Sequence, residues 1–167
     1  LKTKEESVER DYSIREGGHR DMAEVAKVFK ISKETSLPFL PQLHTPEEDA
    51  IFFTEHVLNK DIVYVAITDD TKEICGFIAF NDYFVDHLYL LPDAQGVGLG
   101  SRLLNVAKNH SPYLKIWAFQ KNAIARKFYA KQGFVEIEET DGIDNEEKEP
   151  DVLFEWRSTI GTGLAVT

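Results

Sequence analysis

The chain has 167 residues, 43% hydrophobic and 29% charged, the size and balance of one globular domain with room for a proper core. Its 29 acidic residues against 19 basic give a formal charge of −10, which speaks against a nucleic-acid partner and leaves room for a basic one such as a polyamine, an aminoglycoside or a lysine-rich peptide. The single cysteine, Cys75, rules out an internal disulfide, and no run is apolar for long enough to cross a membrane, so the expectation is a cytoplasmic protein without a membrane partner.

In chain order, residues 1–11 are charged and lack apolar periodicity, which predicts a frayed terminus rather than a secretory leader. The first residue is Leu, which suggests that the natural start lies upstream or was trimmed. Tyr12 to Arg15 alternates as a short strand, and Gly17-Gly18 breaks it before a helix from about Arg20 to Glu34 with Met22, Val25, Ala26 and Phe29 on its inner stripe. Ser36 to Pro46 is a loop stiffened by Pro38, Pro41 and Pro46, a candidate pocket wall. Thr45 caps a second helix, with Pro46 at its first position, running to about Asn59. Three antiparallel strands follow, Ile62 to Thr68, Ile74 to Asn81 and Phe84 to Leu91, the first two joined by the turn Asp69-Asp70-Thr71-Lys72. Cys75 falls in the second of these, where an inert core thiol is expected.

Next comes the most informative segment, Asp93 to Leu104, in which Gly96, Gly98 and Gly100 alternate between a strand and a helix striped by Leu99, Leu103, Leu104, Val106 and Ala107. Glycines there bare the free N–H groups of the first turn, and the helix dipole adds positive potential, so the turn suits a phosphate or pyrophosphate. A P-loop is excluded, since Ser101-Arg102 follows the last glycine instead of Lys-Ser/Thr and the four-residue gap is missing. A dinucleotide fingerprint fits poorly, with Ser101 at its third glycine and Trp117 to Lys121 where an acid is wanted. The pattern that remains is Gln-x-x-Gly-x-Gly, met by Gln95, Gly98 and Gly100.

A strand from Leu114 to Phe119 then leads to Asn122-Ala123-Ile124-Ala125-Arg126-Lys127-Phe128-Tyr129-Ala130-Lys131-Gln132-Gly133-Phe134, in which Ala123 to Gln132 suits a helix. Phe134 to Glu139 and Val152 to Trp156 read as closing strands. The acidic stretch Asp141 to Asp151 between them is expected to be a loose polar loop, a candidate lid, and residues 158–167 a disordered tail.

The glycine loop and the Asn-Ala…Phe-Tyr…Gly-Phe block, in this order, resemble the two signature motifs of the GCN5-related N-acetyltransferase (GNAT) superfamily. The likeness extends roughly from Tyr12 to Trp156, with Val85 to Phe134 carrying nearly all of its specificity. It implies an α/β single-domain fold over residues 12–157, with a mixed, mostly antiparallel seven-stranded sheet, helices on both faces and a splay between the fourth and fifth strands. It also implies transfer of an acetyl group from acetyl-CoA to a primary amine in a ternary complex. On that basis the backbone of Gln95, Gly96, Val97, Gly98, Leu99, Gly100 and Ser101 holds the pyrophosphate, Leu88, Tyr89 and Leu90 pair with the pantetheine arm, and Asn122 meets a pantetheine amide or caps the next helix. Arg126 is a candidate for a CoA phosphate, and Tyr129 for the acid that protonates the leaving thiolate.

An ammonium with a pKa near 10.4 is neutral in only about one part in 2,500 at pH 7, a deficit of roughly 4.6 kcal/mol. A base, a water relay or a desolvating pocket must supply it. His87 has the better-matched pKa and Asp86 is the alternative; strand alternation turns only one of them to the cleft. The five histidines lack ligand spacing, so no metal is expected, and no Gly-x-Ser-x-Gly elbow suggests a hydrolase. A homodimer is compatible with the sequence. The competing reading is a non-catalytic acyl-CoA sensor of the same fold.

Overall fold

The computed structural model describes residues 10–159. The flexible ends expected at 1–11 and 158–167 lie, apart from 10, 11, 158 and 159, outside the described residues. β1 (Tyr12–Glu16) leads through a 3₁₀ turn at His19–Asp21 into α1 (Met22–Ser36). α2 (Pro46–Ile51) continues through a π-helical stretch, Phe52–Val57, into α3 (Leu58–Lys60). Then follow β2 (Ile62–Thr68), β3 (Ile74–Phe80), β4 (Val85–Leu90), α4 (Leu99–His110), β5 (Tyr113–Phe119), α5 (Ala123–Lys131), β6 (Val135–Thr140) and β7 (Asp151–Arg157).

The strands form two antiparallel sheets, β1-β2-β3-β4 and β5-β7-β6. Among the described residues they join at a single parallel bridge, Phe84 with Lys115, where the Lys115 N–H donates to the Tyr83 carbonyl at 2.8 Å. Beyond that bridge β4 and β5 diverge. The seven strands therefore make one sheet in outline, split along its middle, and the split is the cleft.

Burial follows from the sequence pattern. Every residue of β3 is buried, as befits a strand covered on both faces. Phe77 and Ala79 pack with α1 and the π-helical stretch, against Met22, Val25 and Phe53; Ile78 and Phe80 face the other way, toward Leu103, Leu104 and Ala107 of α4. Fully burying a leucine such as Leu103 or Leu104 contributes about 2 kcal/mol. Cys75 lies in this core with its thiol on the Ala66 carbonyl, and burial pushes its pKa up, away from reactivity.

Two local features depart from the sequence-based expectation. The plain helix expected up to Asn59 is widened at Phe52–Val57, where the Thr54 hydroxyl donates to the Ala50 carbonyl at 2.8 Å. Nor is the stretch 141–150 a loose polar loop. Asn145 Nδ2 donates to the Glu149 carbonyl at 2.7 Å and to Asp151 at 3.1 Å, while its Oδ1 accepts from the Glu149 N–H at 3.2 Å. Lys148 adopts a φ of 55° and sends its ammonium to the Ile143 carbonyl at 2.6 Å. Short polar side chains bonded to their own backbone hold this loop together where apolar packing is absent. No helix among the described residues is long and apolar enough to cross a membrane.

Candidate active site

A cavity of about 500 Å³ fills the split between β4 and β5. At one end it reaches the turn entering α4. Gly96 and Gly98 sit at φ of 77° and 82°, the left-handed region, and a Cβ added at either would meet nothing within 4 Å. Conformation, not crowding, selects glycine at both places. The first intrahelical bond of α4 is from the Arg102 N–H to the Gly98 carbonyl, at 3.2 Å, so the N–H groups of Leu99, Gly100 and Ser101 have no helical acceptor. With no side-chain cap at Gly98, three amides and the positive helix end face an open, bared turn. Gly100 serves a different need: its added Cβ would stand 3.3 Å from the Phe128 ring, in the wall of the cleft.

Gln95, Gly96, Gly98, Gly100 and Ser101 line the cavity. Val97 is exposed, and Leu99 is buried in the core, so each has only its backbone to offer. Leu88, Tyr89 and Leu90 form the β4 wall. Because the Leu91 N–H bonds to the Cys75 carbonyl across the ladder, alternation turns the backbone groups of Leu88 and Leu90 away from β3 and toward the split. The Leu90 carbonyl is already taken, accepting from Ser32 Oγ at 3.0 Å and Gln95 Nε2 at 3.3 Å. Gln95 thereby ties the glycine turn to β4. Ser32, from α1, is a participant the sequence reading missed, since nothing in a helix stripe marks a serine that reaches a distant strand.

The opposite wall is Ile116 to Phe119 of β5 with Asn122, Ala125, Phe128 and Tyr129. Asn122 does cap α5, its Oδ1 accepting from the Ala125 N–H at 3.1 Å, while its Nδ2 has no acceptor among the described residues and borders the cleft. Tyr129 is only 6% exposed, with its ring against Phe128, Phe134 and Phe154. Among the described residues nothing takes its hydroxyl, and burial raises the phenol well above its ordinary value, so it stays protonated at every working pH.

The structure departs from two site expectations, at Arg126 and His87, and puts Asp86 at the cleft. Arg126 does not line the cleft: its guanidinium is paired with Glu136 at 2.9 Å and bonded to the Gln120 carbonyl at 3.2 Å. His87 points to the α1 side, among Phe29, Phe52, Phe53, Phe77 and Tyr89, and burial lowers its pKa to about 4. It is a neutral packing residue, not a base at the cleft. Asp86 does border the cavity, on the side of β4 that Leu88 and Leu90 share. Its carboxylate, however, is held by Lys60 Nζ at 2.9 Å and Asn81 Nδ2 at 3.3 Å.

On the far side of β5 a second cavity, about 520 Å³, shares Trp117, Ala118 and Phe119 with the cleft. Glu138, Asp141, Asp144, Glu147 and Asp151 supply its carboxylates. A smaller one, about 180 Å³, lies under the proline-stiffened loop between Leu37 and His44. The two loops touch across this region: His44 lies between Glu48 and Glu146, and Lys33 reaches Glu147 at 3.8 Å. No group of three or more metal-binding side chains occurs among the described residues.

A split sheet with a bared glycine turn at one end and a buried phenol in its wall is the arrangement that the resemblance to the acyl-CoA-dependent acetyltransferases implies. The model for the acetyltransferase (GNAT) domain matches residues 59–136. Peptidyl-lysine N-acetyltransferase YjaB of Salmonella typhimurium is 26% identical over 122 residues, 73% of this chain and 82% of that protein; its Escherichia coli counterpart is 28% identical over 123 residues, 73% and 81%. The solution structure of apo YjaB from Escherichia coli superposes with a TM-score of 0.72 at 23% identity, over 89% of this chain and 99% of that one. The Thermoplasma acidophilum PaiA N-acetyltransferase, solved with coenzyme A, gives 0.69 at 21% identity, over 88% and 99%. At those identities the structures speak for the fold alone. Residues 59–136 thus match the acetyltransferase (GNAT) domain, and the chain is an acetyl-CoA-dependent N-acetyltransferase.

Proposed function

We propose that the acceptor is a primary amine on a cationic molecule, a lysyl side chain of a peptide or protein, and that Tyr129 protonates the departing thiolate. The observation that carries this is the placement of Tyr129. Its spare, buried hydroxyl borders the same cavity as the bared amides of the α4 turn, the free edge of β4 and Asn122. The amides of Leu99, Gly100 and Ser101 would hold the pyrophosphate, and Leu88 with Asn122 the pantetheine arm. The acetyl thioester supplies the activated carbonyl. Direct attack then needs no protein nucleophile, and Cys75, buried in the core with a raised pKa, is not one.

The acidic cavity beyond Trp117 and Phe119 supports the cationic acceptor, since like-signed partners would be repelled there. The names of the YjaB relatives agree with a peptidyl lysine. With Asp86 held by Lys60, and His87 neutral on the other face, the ammonium gives its proton to water in the open cavity, and rate should climb with pH toward the amine's own pKa.

The test is acetyl-CoA titration followed by thiol release over a panel of lysine peptides, polyamines and amino acids. Acetyl-CoA should stabilise the chain, and Tyr129→Phe should lower kcat by about a hundredfold or more with little change in either KM. Unchanged turnover in Tyr129→Phe removes the phenol from the mechanism. Binding without thiol release from any amine would establish the sensor instead.

A further inference from the structure

Nothing above assigns a residue to the acceptor's own charge. Glu147 is the one residue, among those described, that borders both the acidic cavity beyond β5 and the smaller cavity under the 37–44 loop. It thus stands where the β6–β7 loop meets α1. Its side chain is 20% exposed, and its cationic partner is Lys33, whose Nζ is 3.8 Å away and also lies 4.7 Å above the Phe29 ring. A pair at that distance makes no short charge-assisted hydrogen bond, so the carboxylate is neutralised without being saturated.

Glu147 also faces the chemistry. Trp117, Ala118 and Phe119 of β5 border both the acidic cavity, which Glu147 lines, and the cleft, which Tyr89 and Tyr129 line. An amine nitrogen drawn to Glu147 is therefore drawn into the cavity that adjoins the cleft at β5. The other acids of the large cavity lack this position: Asp151 is bonded to Thr140 and Asn145, and neither Asp141 nor Asp144 borders the smaller cavity.

We infer that Glu147 receives the acceptor's ammonium, displacing Lys33, and so makes the site selective for cationic amines. This rests on the acetyltransferase reading above. Glu147 is a specificity-determining residue in this scheme; it binds the protonated amine before the proton is lost to water, and takes no part in breaking the thioester. Lys33 occupies the position as an internal competitor.

Two substitutions of opposite sign test it in the full-length chain, with N-acetyl-Gly-Lys-Gly-amide as acceptor. Glu147→Gln keeps size and hydrogen bonding but removes the charge. It should raise KM for the peptide about tenfold to thirtyfold while leaving KM for acetyl-CoA and the melting temperature unchanged. Glu147→Asp should recover part of the loss. Lys33→Met should lower KM for the peptide severalfold, whereas a loop merely held in place by the Lys33–Glu147 pair would raise it in both variants. A Glu147→Gln peptide KM within twofold of the parent, or an equal rise in the KM for acetyl-CoA, overturns the inference. Thiol release by the parent chain tests the underlying reading separately. If the parent releases none, binding of the same peptide to the CoA-loaded chain decides the matter. Weaker binding by Glu147→Gln upholds the inference, and equal or absent binding overturns it.

Discussion

At the level of single residues, two glycines near the cleft separate conformational need from spatial need. Gly98 has room for a side chain and the wrong φ for one, whereas at Gly76 an added Cβ would stand 2.3 Å from Leu90 Cδ2 and 3.1 Å from the Tyr89 carbonyl. Gly98→Ala therefore costs about 1 kcal/mol of left-handed strain, concentrated at the turn whose amides face the pyrophosphate. The expected result is a KM for acetyl-CoA raised several-fold, with the melting temperature lowered by only a few degrees. Gly76→Ala must push Leu90, and with it the β4 wall, so the loss should appear mainly in stability. Paired measurements of melting temperature and acetyl-CoA KM check the contrast; a Gly98→Ala chain that binds acetyl-CoA normally would show that the turn is not the pyrophosphate site.

Among the elements, β4 and the residue that leads into β2 carry opposing titrations. His87, packed between α1, the π-helical stretch and β3, has its pKa lowered to about 4 by burial, so the stability it confers as a neutral group is present above its unfolded value near 6.5 and is lost as pH falls toward 4. Asp61, just before β2, is raised to about 6 by burial, with Asp86 beside it. It works in the other direction, adding stability as pH falls from 6 toward 4. In the parent chain the two offset each other. His87→Phe removes one of them, and its stability relative to the parent should rise by about 2 kcal/mol between pH 7 and pH 5, whatever overpacking costs at both. Urea unfolding at the two pH values reads the difference directly; parallel shifts would mean that His87 does not titrate as its surroundings demand. His87 also marks the limit of what the sequence could tell. Order and type of elements were legible, because apolar stripes of period 2 and 3.6 and the capping residues Thr45 and Asn122 are local signals. The glycine turn was legible for the same reason, Gly96 and Gly98 being required by their own backbone. Which of His87 and Asp86 faces the cleft was not, since alternation puts them on opposite faces without saying on which face the cleft lies. The partners of Arg126, Ser32 and Glu147 were equally hidden, because each bond spans elements that only the tertiary fold brings together.

For the molecule as a whole, the formal charge of −10 must serve two substrates of opposite sign. Acetyl-CoA is an anion approaching an anionic protein, and in the proposed scheme backbone amides at the α4 turn receive it, where Arg102 is turned to the Tyr12 carbonyl at 3.3 Å. The proposed acceptor is a cation entering a cavity bordered by five carboxylates. Added salt screens both fields, since the Debye length falls from about 20 Å near 20 mM to about 7 Å near 200 mM. The signs of the two effects must differ. Screening removes attraction for the peptide, so kcat/KM for a lysine peptide should fall several-fold across that range, while KM for acetyl-CoA should hold or improve as repulsion is relieved. Spermidine, with more charge, should show the steeper fall. Steady-state kinetics with each substrate varied at saturating levels of the other separates the two trends. A common dependence for both substrates would place the acceptor outside the acidic cavity and would leave the charge of this surface without a part in choosing the amine.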